Sequence, residues 1–156
     1  MPTRHSEPDR APDRVKDRPT WLISRTFARS SALLAAGFEE HGDGLRGYHY
    51  RLLAALEEGQ ASQAELGRGT GIDRSDVTAA LTDLEARDLI ARRVDPENKR
   101  RNIVTITPAG IRTLTALDAV VGRVQEDLLA PLAPAQRHQF IGLLRQLLEP
   151  AGDAEA

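Results

Sequence analysis

The chain has 156 residues, 40% of them hydrophobic, and this single-domain length with an ordinary apolar share excludes global disorder. It carries no cysteine, which excludes disulfides, thiolate metal sites and cysteine nucleophiles; with no apolar run of membrane-span length and no signal-type segment, a soluble cytoplasmic protein without a membrane partner is expected. The net charge of −2 argues mildly against a nucleic-acid partner, but five basic residues against two acids lie between Arg92 and Arg101, so any phosphate binding must come from a local patch.

Residues 1–19 hold four of the nine prolines and a dense mixture of charges. Such a segment cannot bury enough surface to offset ordering entropy, and a disordered arm is expected. From Thr20, read as an N-cap, the residues Trp21, Ile23, Phe27, Leu33, Leu34 and Phe38 recur at helical spacing, and this helix ends near Gly42 to Gly44. A second helix, from about Tyr48 to Glu57, buries Leu52, Leu53 and Leu56 and stops at Gly59. Ser62-Gln63-Ala64-Glu65 reads as a capping box, and the short helix that it opens closes at Gly71. Asp73 then caps a helix with Val77, Leu81 and Leu84 on its buried face. Two short capped helices joined by a tight glycine turn form a helix-turn-helix unit.

Leu89–Val94 and Ile103–Ile106 read as strands around a polar, basic tip at residues 95–102, in which Pro96 and Asn98 are turn formers. Such a hairpin directly after a helix-turn-helix makes a winged helix. Thr107-Pro108 restarts helix as N-cap and first residue. Ile111, Leu114, Leu117, Val121, Val124 and Leu128 then form one stripe that Pro131 and Pro134 break, and a last helix carries Phe140, Leu143, Leu144, Leu147 and Leu148. A lone winged helix cannot cover that stripe, so a second copy of the chain is an expected partner.

On the helix that Asp73 opens, Ser75, Thr78 and Thr82 share the face opposite Val77, Leu81 and Leu84, with Arg74 at its start. That face suits the major groove of double-stranded DNA, where short polar side chains and an arginine reach base edges. Ser62 and Gln63, at the start of the preceding helix, are placed to donate to phosphates. Lys99, Arg100 and Arg101 at the wing tip, with Arg92 on its first strand, are candidates for the backbone or the adjacent minor groove. Each of these residues alone reads equally well as a solvated surface group. Their order along the chain carries the assignment.

From Thr20 to Leu148 the sequence resembles the MarR family of multiple antibiotic resistance regulators. The resemblance rests on Ile72-Asp73-Arg74-Ser75 through Leu84-Glu85, Leu89-Ile90-Ala91-Arg92, the wing-tip run Asp95-Pro96-Glu97-Asn98-Lys99-Arg100, and Ile106-Thr107-Pro108-Ala109-Gly110. It implies a mainly α fold with a small β-hairpin wing: a winged helix-turn-helix at residues 46–107 flanked by dimerisation helices at 20–45 and 108–149. These make one domain, 20–150, followed by a flexible tail, 151–156. It further implies a homodimer on a palindromic operator, repression released by a ligand, and pairing of Asp95 with Arg100 inside the wing. The sequence departs from the family where a basic residue is usual around Ala79 to Asp83, while Asp76 and Asp83 add negative charge expected to face DNA. Asp88 stands where the family has glycine.

By the same resemblance, a small aromatic effector is expected near Trp21, Phe27, Arg46 and Tyr48. A zinc-responsive alternative uses His41, His49 and His138, with acids nearby, because zinc accepts nitrogen and carboxylate ligands. A rival from another class is a winged-helix protein-interaction module without DNA binding. No nucleophile motif or phosphate loop is present, so an enzyme is not expected.

Overall fold

Many of the apolar residues that recur at helical spacing converge on one core. In the computed structural model, which describes residues 12–149, helices α1 (Pro19–His41), α2 (Gly47–Glu57), α3 (Gln63–Thr70), α4 (Arg74–Ala86), α5 (Pro108–Leu129) and α6 (Pro134–Leu148) are joined by strands β1 (Ala61–Ser62), β2 (Ile90–Val94) and β3 (Asn102–Ile106). Leu52 and Leu53 of α2, Leu66 of α3, Val77, Leu81 and Leu84 of α4, Val104 of β3 and Leu117 of α5 meet in the core with Phe38 of α1. The fold is the expected one, mainly α with a small β-hairpin wing.

The helix starts differ in detail from the sequence reading. Arg18, not Thr20, is the N-cap of α1, and Pro19 takes the first position, where its missing N–H costs nothing. Residues 12–18, expected in the disordered arm, form hydrogen-bonded turns such as Val15 N to Pro12 O at 3.0 Å. Residues 1–11 of the arm and the expected tail at 151–156 lie outside the described residues. Asp73 occupies the N-cap of α4 but makes no capping bond with its side chain. The capping box of α3 is formed: Ser62 N donates to Glu65 Oε2 at 2.7 Å, and Glu65 N donates to Ser62 Oγ. Gly71 closes α3 at φ +65°, in the left-handed region.

The wing is wider than a hairpin. β1 pairs with β3, and β3 with β2, in a three-stranded antiparallel sheet of order β1-β3-β2. A two-residue strand carries no period of its own, so β1 leaves no signature in the sequence. At the base of the wing, Asp88 takes the left-handed conformation at φ 57°. Thr107 Oγ1 donates to Asp88 O at 2.7 Å and accepts from Gly110 N at 3.0 Å, joining the end of α4 to the start of α5. Gly110 is required here, since a Cβ at this position would lie 2.1 Å from Leu89 O.

The long stripe is partly inward. Leu114, Leu117, Val120 and Val124 of α5 are buried, whereas Ile111 is exposed and Val121 and Leu128 are half-buried. α6 buries none of its residues, and Ile141, Leu143, Leu144, Leu147 and Leu148 are open to solvent, as are Leu22, Ile23 and Phe27 of α1.

Candidate nucleic-acid interface

The start of α3, the start of α4 and the wing enclose one basic groove. It is about 580 Å³ in volume, and Gln63, Arg68, Arg74, Arg100, Arg101 and Asn102 are among its lining residues. α4 presents Ser75, Thr78 and Thr82 on its exposed face, opposite the buried Val77, Leu81 and Leu84. Thr78 Oγ1 donates to Arg74 O and Thr82 Oγ1 to Thr78 O, each at 3.0 Å, so both hydroxyls keep lone pairs for an incoming donor. Gln63 Nε2 donates to Thr78 Oγ1 and fixes the spacing between α3 and α4.

The wing tip is folded around a buried carboxylate. Asp95 Oδ1 accepts from Glu97 N and Oδ2 from Arg101 Nε, each at 3.0 Å. Asp95 N donates to Arg101 O at 2.8 Å, and Asn98 Oδ1 accepts from Arg100 N. The partner of Asp95 is therefore Arg101, not the expected Arg100, because the tip turn brings Arg101 back across the strands. Arg101 Nη1 also lies 3.8 Å from Glu65 Oε1. The Ser62 bonds, with a smaller contribution from Arg101, hold the Glu65 carboxyl below the usual carboxylate range. Lys99 and Arg100 are left exposed with no side-chain ion pair among the described residues.

Three expectations give way to these contacts. Ser62 is buried and spends its hydroxyl on Glu65, while its neighbour Gln63 lines the groove. Arg92 binds Glu85 through Nε at 2.8 Å and through Nη2, bracing β2 against α4 and holding the Glu85 carboxyl below its ordinary range. Asp83, expected to face DNA, instead points to α2, with Oδ2 3.2 Å from His49 Nε2 and Oδ1 3.3 Å from Arg87 Nε. Arg68 went unnoticed in the sequence. It lies one turn along α3 from Ala64, and both line the groove.

A model of the MarR family matches residues 43–101. A probable transcriptional regulator from Pseudomonas aeruginosa, seen in a crystal structure, is 32% identical, with a TM-score of 0.74 over 85% of this chain and 98% of that one. The chain belongs to the MarR family. The structure of Bordetella bronchiseptica BpsR, described for regulation of its DNA binding by 6-hydroxynicotinic acid, has a TM-score of 0.77 at 25% identity, covering 90% of this chain and 99% of that one. The transcriptional repressor NicR of Pseudomonas putida is 26% identical over 90% of this chain and 89% of its own length. A putative transcriptional regulatory protein for the hcr operon of Thauera aromatica is 33% identical; that match spans 61% of this chain and 57% of the relative. This MarR-family chain is a non-enzymatic, DNA-binding transcription regulator.

The expected sensing residues line neither of the two clefts described in this MarR-family chain. Phe27 is 72% exposed, Trp21 lies under the Arg25 guanidinium 5.8 Å away, and Tyr48 covers His49, while Arg46 is exposed at the start of α2. A cleft of about 340 Å³ lies elsewhere, between the α1–α2 turn and α5, lined by His41, Asp43, Leu45, Arg87, Leu89 and Leu117 among others. The three histidines named for zinc are not brought together within one chain. His49 is buried with both nitrogens engaged, His41 sits beside Glu40 on the surface and His138 is exposed on α6. Among the described residues no group of three metal-ligating side chains is formed. No helix among them is long and apolar enough to cross a membrane.

Proposed function

We propose that two copies of this chain bind a pseudo-palindromic operator and repress transcription, with the start of α4 in the major groove and the wing on the flanking backbone or minor groove. The basic groove carries the reading: Arg68, Arg74, Arg100 and Arg101 converge there from three elements of a chain whose net charge is −2. Neutralising phosphates with clustered cations releases counterions, and only a local cluster supplies that term here. Arg74, Ser75, Thr78 and Thr82 are the base-reading set, and Gln63, Lys99 and Arg100 the backbone set, with Arg101 as the clamp of the wing.

Dimerisation by α1, α5 and α6 is supported by the apolar residues that α1 and α6 leave in solvent. A dimer with two-fold symmetry places two half-sites about one helical turn, ~10 bp, apart. Release by a small organic acid is supported by the likeness to BpsR, whose DNA binding 6-hydroxynicotinic acid regulates, and repression by the likeness to the repressor NicR. The cleft beneath the α1–α2 turn has the size of such a ligand. A regulator of this kind works in the cytoplasm, where the DNA is.

The test is an anisotropy titration of the purified chain against duplexes from upstream of its own gene and against shuffled duplexes of the same composition. The expected result is selective, salt-sensitive binding of two chains per duplex. Equal binding to both duplexes would contradict operator recognition.

A further inference from the structure

We propose that His49 is a positioning residue for DNA binding: through Asp83 it seats α4 on α2, and a proton added to its ring unseats it. The proposal rests on the reading that the exposed face of α4 meets DNA.

His49 sits at the third position of α2 and is 3% exposed. Its Nδ1 accepts the backbone N–H of Arg46 at 2.9 Å. An imidazole accepts at one nitrogen only when neutral, so this bond places the ring proton on Nε2, 3.2 Å from Asp83 Oδ2. Asp83 in turn holds Arg87, whose Nη1 donates to Asp43 O at 2.8 Å. One polar chain thus runs from the start of α2, through the third and fourth turns of α4, to the turn between α1 and α2. The charged groups that face the ring are Arg46 from α2 and Asp83 and Arg87 from α4, and the Tyr48 ring covers it at 4.3 Å between centroids.

Protonation changes both ends of this chain. A proton from solvent on Nδ1 sets N–H against N–H at Arg46 and removes the bond that caps α2. The imidazolium is drawn to Asp83 and competes with Arg87 for the same carboxylate. α4 then loses the tie that holds its C-terminal half to the α1–α2 turn, and its N-terminal half turns away from the groove geometry. Burial holds the ring below its ordinary value; Asp83 opposes that, and Arg87 and Arg46 add to it. The change therefore falls on the acid side of neutrality.

The experiment uses the full chain and a duplex selected by it from random sequence at about pH 7.5, with unselected duplex as control. Affinity for the selected duplex is expected to fall about tenfold between about pH 7.5 and about pH 5 at constant ionic strength, with no matching fall on unselected DNA. In His49→Asn, whose amide oxygen still accepts from Arg46 and does not titrate, the ratio of the two affinities is expected near one. A triple variant with Gln at positions 5, 41 and 138 is expected to keep the tenfold ratio. A pH-independent wild type, a tenfold loss that survives in His49→Asn, or an equal loss on both duplexes overturns the proposal. Failure to select any preferred duplex at about pH 7.5 overturns the operator reading itself, and this one with it. If His49→Asn does not fold, the midpoint of the His49 ring resonances in the wild type decides: it must coincide with the midpoint of the affinity loss, and a mismatch overturns the proposal.

Discussion

The winged helix-turn-helix and the α1–α6 end of the molecule satisfy their side chains in opposite ways. In the first, every leucine is buried and several charged residues are tied in pairs: Arg92 to Glu85, Arg101 to Asp95, Arg87 to Asp83. In the second, Phe27, Leu147 and Leu148 stand 70% or more exposed, and α6 buries nothing within its own chain. The difference teaches which half is complete. The winged helix-turn-helix is closed by its own contacts, whereas the helical end leaves apolar area in solvent, which the proposed second copy would cover.

The sharpest way to break this comparison is to damage each half and ask which property fails. Leu81→Ala, in the closed half, is expected to lower stability by about 2–5 kcal/mol, read as a shift of the urea midpoint at unchanged slope. A shift below about 0.5 kcal/mol would place Leu81 outside a tightly packed core. Leu144→Asp with Leu147→Asp, in the open half, is expected to leave the helical content in place but convert dimers to monomers in sedimentation. Selective DNA binding then weakens by about 100-fold, since each half-site is held alone. A dimer that persists in this variant assigns the subunit contact to another surface.

Smaller effects separate residues within the groove. Asp95→Ala leaves Arg101 without its buried partner and is expected to cost about 1–3 kcal/mol, with faster amide exchange confined to residues 94–102. Lys99→Ala with Arg100→Ala is expected to leave stability unchanged and to reduce the slope of log affinity against log salt by about two per chain, one for each phosphate no longer neutralised. An unchanged slope means that the wing tip does not touch DNA. The smallest effect is on stability against pH. The ring of His49 titrates lower in the folded chain than in the unfolded one, so the unfolded chain takes up the proton first. The contribution is whole above the ordinary histidine value of 6.5 and is lost as the pH falls from there through the lower value of the folded ring, and urea midpoints across that range should show the decline in wild type but not in His49→Asn.

Much of the closed half was legible in the sequence because its signals are local. The Ser62–Glu65 capping box, Gly71 in the left-handed region and Thr107-Pro108 at the start of α5 each depend on neighbours a few residues away. The buried faces of α2 and α4 followed from period alone. What escaped depends on residues distant in sequence. Nothing local says that Asp83 turns to His49 or that Arg92 is spent on Glu85. The register of the tip decides between Arg100 and Arg101 for Asp95, and a one-residue difference there exchanges a clamp for an exposed, groove-lining side chain. Arg68 was hidden for a related reason: a groove is shared between elements, and only their packing shows which side chains line it.

The most direct test of the central claim is a hydroxyl-radical footprint of the full chain on its selected duplex, with the mass of the complex measured in parallel. Two protected patches on one face of the duplex, about 10 bp apart, with two chains bound, is the outcome expected of a dimer that presents two such grooves. One protected patch with a single chain bound would contradict it.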